Sequence, residues 1–482
     1  MALIDKNLTP SLKLINSFLK MKKVKIKGIQ FIENRDVYIS KLTNSYILKF
    51  ETQNSDHLAV ESVLYNNLET YSLSHRKRSY IIPSEMSRIT SFGDPLLTDS
   101  NFQVEINLNS IYSSKLDLDK KYFFRYIVPL DKKENFEDFE NYYIKINGIQ
   151  KGNLIKIDSE NNKVHFYQFQ HNNRYYLVTE SLYKCSFNEI ENLAHSTLLT
   201  LGFFSGKFHL NETYIVASNR DNFNSPVGLY YKSLRESISG QYSIFTTNAY
   251  SVLVPISKKM KAKNAENRMM NIIEQKWKFR IQMIKEDVFN NMVNLFYQNE
   301  SFARAALLLL SNSKLGLELQ SGAFCIAFET ICNSINKKYN LVAPKMIETL
   351  QWNTIKKDLL AIFNNSKLSK EAKQFGINKI NNLNQSTNKD KLTLPFKEIG
   401  YELNLNEIKV INDRNLFLHG NLNVKDGENE IDKLFYTSIM LHRLCCTLIL
   451  KMCSFEGHII NNIALYSSNI NTETNEWGFK EI

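Results

Sequence analysis

The sequence predicts an α+β protein in two parts: a β-rich N-terminal domain over residues 1–260, of antiparallel sheet or sandwich type, followed by an all-α bundle over residues 265–482. Three observations predict it. Apolar and polar residues alternate at period two in segments between about residues 22 and 180, whereas after residue 265 the apolar positions recur at helical spacing. Between the two patterns lies the basic, polar stretch Lys258-Lys259-Met260-Lys261-Ala262-Lys263-Asn264, the best candidate boundary. A chain of 482 residues also exceeds what one ordinary core accommodates.

In order along the chain, the alternating segments are Val24-Lys25-Ile26-Lys27, Ser45-Tyr46-Ile47-Leu48-Lys49-Phe50, Phe102-Gln103-Val104-Glu105-Ile106 and Tyr143-Ile144-Lys145-Ile146. Period two buries one face of a strand and wets the other, which is the pattern of antiparallel sheets. Leu154-Ile155-Lys156-Ile157 and Lys163-Val164-His165-Phe166-Tyr167 flank Ser159-Glu160-Asn161-Asn162 and read as a hairpin, and Arg174-Tyr175-Tyr176-Leu177-Val178 continues the sheet. Ile190, Leu193, Ala194 and Leu198 share one stripe, so residues 187–204 read as a helix; Thr213-Tyr214-Ile215-Val216 and Ser251-Val252-Leu253-Val254 return to strand. Beyond the boundary the spacing predicts helices over 265–297, 301–312, 317–337, 346–363, 368–383, 405–419 and 430–454. The stretch 381–391, dense in Asn, Ser and Lys, reads as a mobile loop.

At 43% hydrophobic and 12% aromatic residues the chain has the composition of a folded globular protein, which excludes the low-hydrophobicity class of disordered chains. A net charge of +11 and a pI near 9.0 favour polyanionic partners such as RNA. Lysine supplies 47 of the 60 basic residues, so much of that charge also serves as solvated surface. Cys185, Cys325, Cys332, Cys445, Cys446 and Cys453 lack the paired Cys-x-x-Cys frame of a zinc site and read as small buried hydrophobes of a reducing compartment. The N-terminus reaches Asp5 and Lys6 before an apolar run develops, the run 305–310 is too short for a membrane span, and the final helix carries Arg443 and Lys451. The expectation is a cytoplasmic protein with no membrane partner, no metal and no cofactor.

Chemistry concentrates in Asn412-Asp413-Arg414-Asn415-Leu416-Phe417-Leu418-His419-Gly420. Asn404 followed by Glu407 reads as a helix start, because the amide side chain accepts a free backbone N–H and the carboxylate sits at the positive end of the helix dipole. Leu405, Ile408, Ile411 and Leu416 are expected to form its buried stripe, and Gly420 to cap it in the left-handed region. On such a helix Asn415 and His419 share a face, while Arg414 lies about 140° round from His419 and reaches across with its long side chain. The three converge on one small anion. Carbonyls at the helix end favour a protonated imidazole, so His419 exchanges a proton near neutral pH.

These residues resemble the HEPN superfamily, whose nucleases carry an arginine, a polar residue and a histidine in an R-x(4 to 6)-H motif near the end of a helical bundle. Arg414, Asn415 and His419 match position by position. With Ala327-Phe328-Glu329 on an upstream helix and Leu441-His442-Arg443-Leu444 on the final one, residues 265–465 look like the C-terminal domain of ApeA-type abortive-infection proteins of bacterial anti-phage defence. The resemblance implies a metal-independent endoribonuclease that cuts RNA, tRNA being a candidate, with Arg414, Asn415 and His419 catalytic. It also implies a homodimer or higher even oligomer through the helical domain, with a phage-derived trigger or an antitoxin as regulator. Two other readings are a non-catalytic HEPN module that binds RNA or protein, and the toxin of a toxin-antitoxin pair.

Glu329 has two readings, orienting Arg414 or the RNA site, or serving as an exposed or bracing charge, since a carboxylate among apolar neighbours needs a partner. Arg443 is offered as RNA-contacting, with an interhelical brace as the alternative, and His442 beside it is read likewise. Arg268, Lys276, Lys278 and Arg280 with Trp277, and separately His75-Arg76-Lys77-Arg78, are candidates for phosphate contact and otherwise solvated faces.

Overall fold

A computed structural model describes residues 4–27, 36–52, 70–83, 87–92, 102–148, 150–159, 162–234, 237–253, 267, 270–271, 273–277, 281–345, 347–418, 428–466 and 478–482. The chain divides into two compact units, the first made of Met1–Ala249 with Gln275–Gln298, the second of Tyr250–Glu274 with Asn299–Ile482. The protein is α+β, with a large N-terminal sheet and a helical C-terminal region.

In the first unit, helix α1 (Thr9–Leu19) follows strand β1 (Ile4–Lys6) and is succeeded by β2 (Lys23–Lys27), β3 (Asp36–Lys41), β4 (Tyr46–Thr52), β5 (Tyr71–His75), β6 (Arg78–Ile82), β7 (Ser87–Phe92), β8 (Phe102–Leu108) and β9 (Ser110–Ser113). Next come β10 (Phe123–Leu130), β11 (Tyr142–Ile146), β12 (Gln150–Ser159), β13 (Asn162–His171) and β14 (Arg174–Ser181). Helix α2 (Phe187–Ser205), β15 (Lys207–Phe208), β16 (Glu212–Ser218), β17 (Pro226–Ser233), β18 (Ile238–Ser239) and α3 (Glu286–Gln298) complete the unit. Sixteen of these strands form one sheet in the order β1-β11-β12-β13-β14-β10-β16-β17-β9-β6-β5-β2-β3-β4-β8-β7. Its named pairings are antiparallel except β1 with β11, which run parallel. The expected hairpin is β12–β13, registered through Ser159 opposite Asn162.

Inner-face residues from both halves of the sheet join one cluster with Leu12, Ile15 and Phe18 of α1, so the sheet curls round this helix. Phe18 meets Tyr46, Tyr80 and Tyr214 edge to face at centroid distances of 5.1, 5.6 and 6.4 Å. Such pairs gain energy beyond area burial. A charged cluster is sealed in the same unit: Glu180 accepts Lys6 Nζ at 2.5 Å, Arg125 Nε at 2.7 Å and the Tyr167 hydroxyl at 2.8 Å. Burial pushes the Glu180 carboxyl up, but Arg125 and Lys6 outweigh that and leave it below its usual range.

The two halves differ in what covers their outer face. Strand β10 is buried at all but its first position because helices close the face away from α1, α2 packing on β10 and β14. Strand β2 alternates instead, exposing Lys23, Lys25 and Lys27. Helix α3 corrects the expected boundary and the expected helix over 265–297. Residues 273–277 form a π-helical turn, and α3 belongs to the first unit, where Phe289 packs on Phe139 and Phe166, and Phe296 on Phe203. The basic stretch at 258–264 lies outside the described residues.

The second unit holds α4 (Glu300–Asn312), α5 (Leu317–Lys338), α6 (Thr349–Asn365), α7 (Lys370–Asn382), α8 (Asn388–Glu398), α9 (Leu405–Leu418), α10 (Glu428–Met452) and α11 (Asn462–Tyr466), with the short pair β19 (His458–Ile460) and β20 (Phe479–Glu481). Central α5 packs on α4, α8, α9 and α10. The stretch 431–452 is long and apolar enough to cross a membrane, and its most apolar 18-residue window is 83% buried inside the protein, so its apolar surface is spent on packing. Two local readings are corrected. Residues 251–253, expected as strand, are helical, since a short apolar run does not distinguish the two. The expected loop at 381–391 yields a helix from Asn388, because Thr387 and Asp390 form a capping box.

Phe18→Ala is expected to cost the first unit about 3–5 kcal/mol, since four tyrosines from both halves of the sheet close on that ring. Hydrogen exchange in urea at peptides of β4, β6, β16 and β17 measures it, and protection equal to that of the unaltered chain would contradict the assignment of α1 as the core's centre.

Candidate functional site

The site is built on α9. Its start is a reciprocal cap: the Glu407 amide donates to Asn404 Oδ1 and the Asn404 amide to Glu407 Oε2, both at 2.9 Å. The Glu407 carboxylate does more than cap. It is fully buried, and its other oxygen accepts Arg443 Nη2 at 3.0 Å and the Tyr401 hydroxyl at 2.8 Å. Arg443 Nη1 donates to Asn461 Oδ1 at 3.0 Å. This fastens the first turn of α9 to α10.

The far half of α9 is fastened to α5. Arg414 Nε donates to Glu329 Oε1 at 3.1 Å, and Arg414 Nη1 donates to the Ile411 carbonyl one turn back at 2.7 Å. Arg414 is 2% exposed, while the Glu329 side chain is 37% exposed. The guanidinium is therefore packed beneath the surface and its partner opens to solvent. The Arg414 carbonyl accepts the Cys325 thiol at 3.7 Å, and burial pushes that thiol up to about 12, away from thiolate chemistry. All six cysteines are free and buried.

Of the residues read from the sequence, Arg414 and Glu329 are thus brought together. Asn415 lies on α9 one position beyond Arg414, with its side chain outside the description. His419, the Gly420 cap, Arg268 and Arg280 lie outside the described residues, and Lys276 is placed only as part of the π-helical turn. The RNA-contacting role offered for Arg443 is corrected by its burial: at 4% exposed and held by Glu407 and Asn461, it is an interhelical brace. The buried stripe of α9 is corrected as well. It runs through Glu407, Val410, Ile411 and Arg414, while Leu405 is 85% exposed. Glu407 was legible as a cap but not as the centre of a buried network; only its partners Tyr401, Arg443 and Asn461, distant in sequence, reveal that.

A cleft of about 730 Å³, lined among others by Lys389, Lys397, Phe396, Tyr401 and Ile408, lies against α8 and the start of α9. Ile408 precedes Arg414 by six residues, about 9 Å along the helix axis. Comparison of the chain with models of protein families, with characterised proteins and with solved structures finds no match.

His442 sits one position before Arg443, its ring 5.3 Å from that of Phe324, and burial holds its pKa down at about 4 against an ordinary 6.5. Above pH 6.5 the imidazole is neutral in both folded and unfolded chains. Between 6.5 and 4 the unfolded chain takes up a proton that the native one refuses, so this group's contribution to stability falls with pH through that window. From pH 7 to pH 5 the urea midpoint of the native chain should fall further than that of His442→Met, by the equivalent of about 2 kcal/mol. Equal falls in the two proteins would refute a neutral buried His442.

Proposed function

We propose that the chain is a metal-independent endoribonuclease of the HEPN class, acting in bacterial anti-phage abortive infection under control of its β-rich unit. The observation that carries the reading is Arg414, first residue of the Arg-Asn-x3-His spacing, held by Glu329 on a capped helix. His419 takes the proton from a ribose 2′-OH or returns one to the leaving 5′-oxygen, Arg414 stabilises the charge building on the phosphate, and Asn415 holds the geometry. Because the nucleophile is the 2′-OH, DNA is inert. One imidazole serves poorly as both base and acid, so the reading includes a homodimer or higher even assembly in which each copy contributes its own His419. RNA, with tRNA a candidate, is the substrate, and a phage-derived trigger or an antitoxin is the regulating partner.

A second reading is favoured by the 2% exposure of Arg414. It is a non-catalytic module in which the Arg414–Glu329 pair only braces α9 against α5. Under the nuclease reading, the guanidinium acts from just beneath the surface or after the helix end opens, and its removal is felt in either case.

Incubating the purified chain with total cellular RNA separates the two readings. Cleavage is expected to persist in EDTA and to leave 2′,3′-cyclic phosphate and 5′-hydroxyl ends; 5′-phosphate ends made only with magnesium would indicate a metal nuclease instead. His419→Ala and Arg414→Ala are each expected to lower cleavage about 100-fold or more and to abolish growth arrest. RNA left intact by the unaltered chain, or cut equally well by His419→Ala, gives the module reading precedence.

For the shared site, an Arg414→Ala, His419→Ala double variant is mixed with the unaltered chain. Activity should drop below simple dilution as mixed dimers form, whereas a strictly proportional decline argues for sites that work singly.

A further inference from the structure

Strand β2 carries Lys23, Lys25 and Lys27 on the face opposite Val24 and Ile26, which are buried in the core round α1. All three lysines are exposed. Register sets their surroundings: Lys25 and Lys27 lie opposite Ser74 and Ser72 of β5, and Lys23 opposite Tyr38 of β3. The serines are short, so they leave the lysine stems standing above the sheet. Tyr38 is 54% exposed, and Lys23 Nζ lies 5.0 Å from its ring centroid.

The cluster His75-Arg76-Lys77-Arg78, isolated in sequence, is brought beside β2 at the end of the β5–β6 hairpin, His75 and Arg78 falling in register on the side of Leu73 and Tyr80. It is the two-residue turn between β5 and β6, with His75 opposite Arg78 in register and His75 Nδ1 2.9 Å from the Lys23 carbonyl. Arg76, Lys77 and Arg78 are exposed, as are Lys20 and Lys22 in the connection from α1 to β2. Tight turns of this kind favour Asn or Gly where φ is positive. Here Arg76 takes φ +55°, so a long cation occupies a position that local backbone energetics would give to a smaller residue. Among β2, β5 and β6 no residue is acidic, and β3 sets one carboxylate residue, Asp36, opposite Lys25.

We propose that this face of the sheet is a platform for single-stranded RNA. Alternate residues of a strand stand about 6.6 Å apart, a repeat close to that of consecutive phosphates in an extended single strand, so the β2 lysines follow a backbone phosphate by phosphate. Tyr38 beside them offers a ring on which a base stacks, and sheet faces that combine cations with exposed aromatics suit single strands better than duplexes. Apolar wedges of the kind that enter a lipid surface are missing from the exposed positions of β2, β5 and β6, which are Lys, Ser and Arg. The proposal is independent of the nuclease reading and concerns binding alone.

The test uses the full chain carrying His419→Ala, so that cleavage cannot consume the probe, and follows the anisotropy of a fluorescein-labelled single-stranded RNA over a range of salt. The combined variant Lys23→Glu, Lys25→Glu, Lys27→Glu should bind at least tenfold more weakly, with the log–log salt slope shallower by about 2, since each phosphate contact on a single strand contributes about 0.7. Tyr38→Ala should weaken binding about fivefold or more and leave the slope unchanged. The control Lys132→Glu, Lys133→Glu, Lys184→Glu alters exposed lysines of the same unit by the same net charge and should have little effect. Loss of affinity as large in the control as in the β2 variant, no loss in either, or capture of anionic vesicles with indifference to RNA would each overturn the platform. Failure of the unaltered chain to cut RNA bears on the nuclease reading and leaves this measurement intact.

Discussion

The buried Glu407 carboxylate is the constraint on which the helical unit's candidate site depends. A charge in a low-dielectric interior is tolerated only when its lone pairs are satisfied, and Glu407 meets this with its own helix start, a tyrosine hydroxyl and a guanidinium. Because those partners come from the approach to α9 and from α10, the direction of α9 is set at its first turn. The Arg414–Glu329 pair then sets its far half against α5. Removing one member of the buried Glu407–Arg443 pair costs about 3–5 kcal/mol, far more than a solvent-opened bridge such as Arg414–Glu329 contributes, so the first turn is the firmer of the two attachments.

The sheet unit uses the same device for a different end. Glu180 gathers Lys6, Arg125 and Tyr167, and Arg125 also donates to the Asn7 carbonyl and lies 4.0 Å from the ring of Phe223. Strand β1 and the entry to α1 are thereby tied to β10, β13 and β14. The apolar cluster round α1 supplies non-directional attraction, and the charged cluster supplies the geometry that a non-directional force lacks. One half of the sheet is covered on both faces and the other on one, which leaves β2 with a wet face that its lysines occupy.

Legibility in the sequence followed the locality of the physics. The Asn404–Glu407 and Thr387–Asp390 caps span three residues and are written in the chain, although the second was passed over in favour of a loop reading of its Asn-rich surroundings. The β12–β13 hairpin and the α5 helix were legible for the same reason. The stripe of α9 was misassigned because two of the four buried positions among its described side chains are charged, and a rule that equates burial with apolarity selects Leu405 and Ile408 over Glu407 and Arg414. Helix α3 was assigned to the wrong unit since its amphipathic pattern shows that it packs, not what it packs against.

What the sequence determined by itself is the order of a strand-rich part before a helical part, the class of most elements, and the spacing of Arg414, Asn415 and His419, because helical and strand periodicities and caps are short-range properties of the chain. Tertiary structure alone decided that Glu329 meets Arg414 across 85 residues, that Arg443 is a buried brace, and that the His75–Arg78 turn lies against the start of β2. Those outcomes follow from how sheet register and helix packing bring distant residues together. A charged side chain reads the same in the sequence whether it faces water or a buried partner.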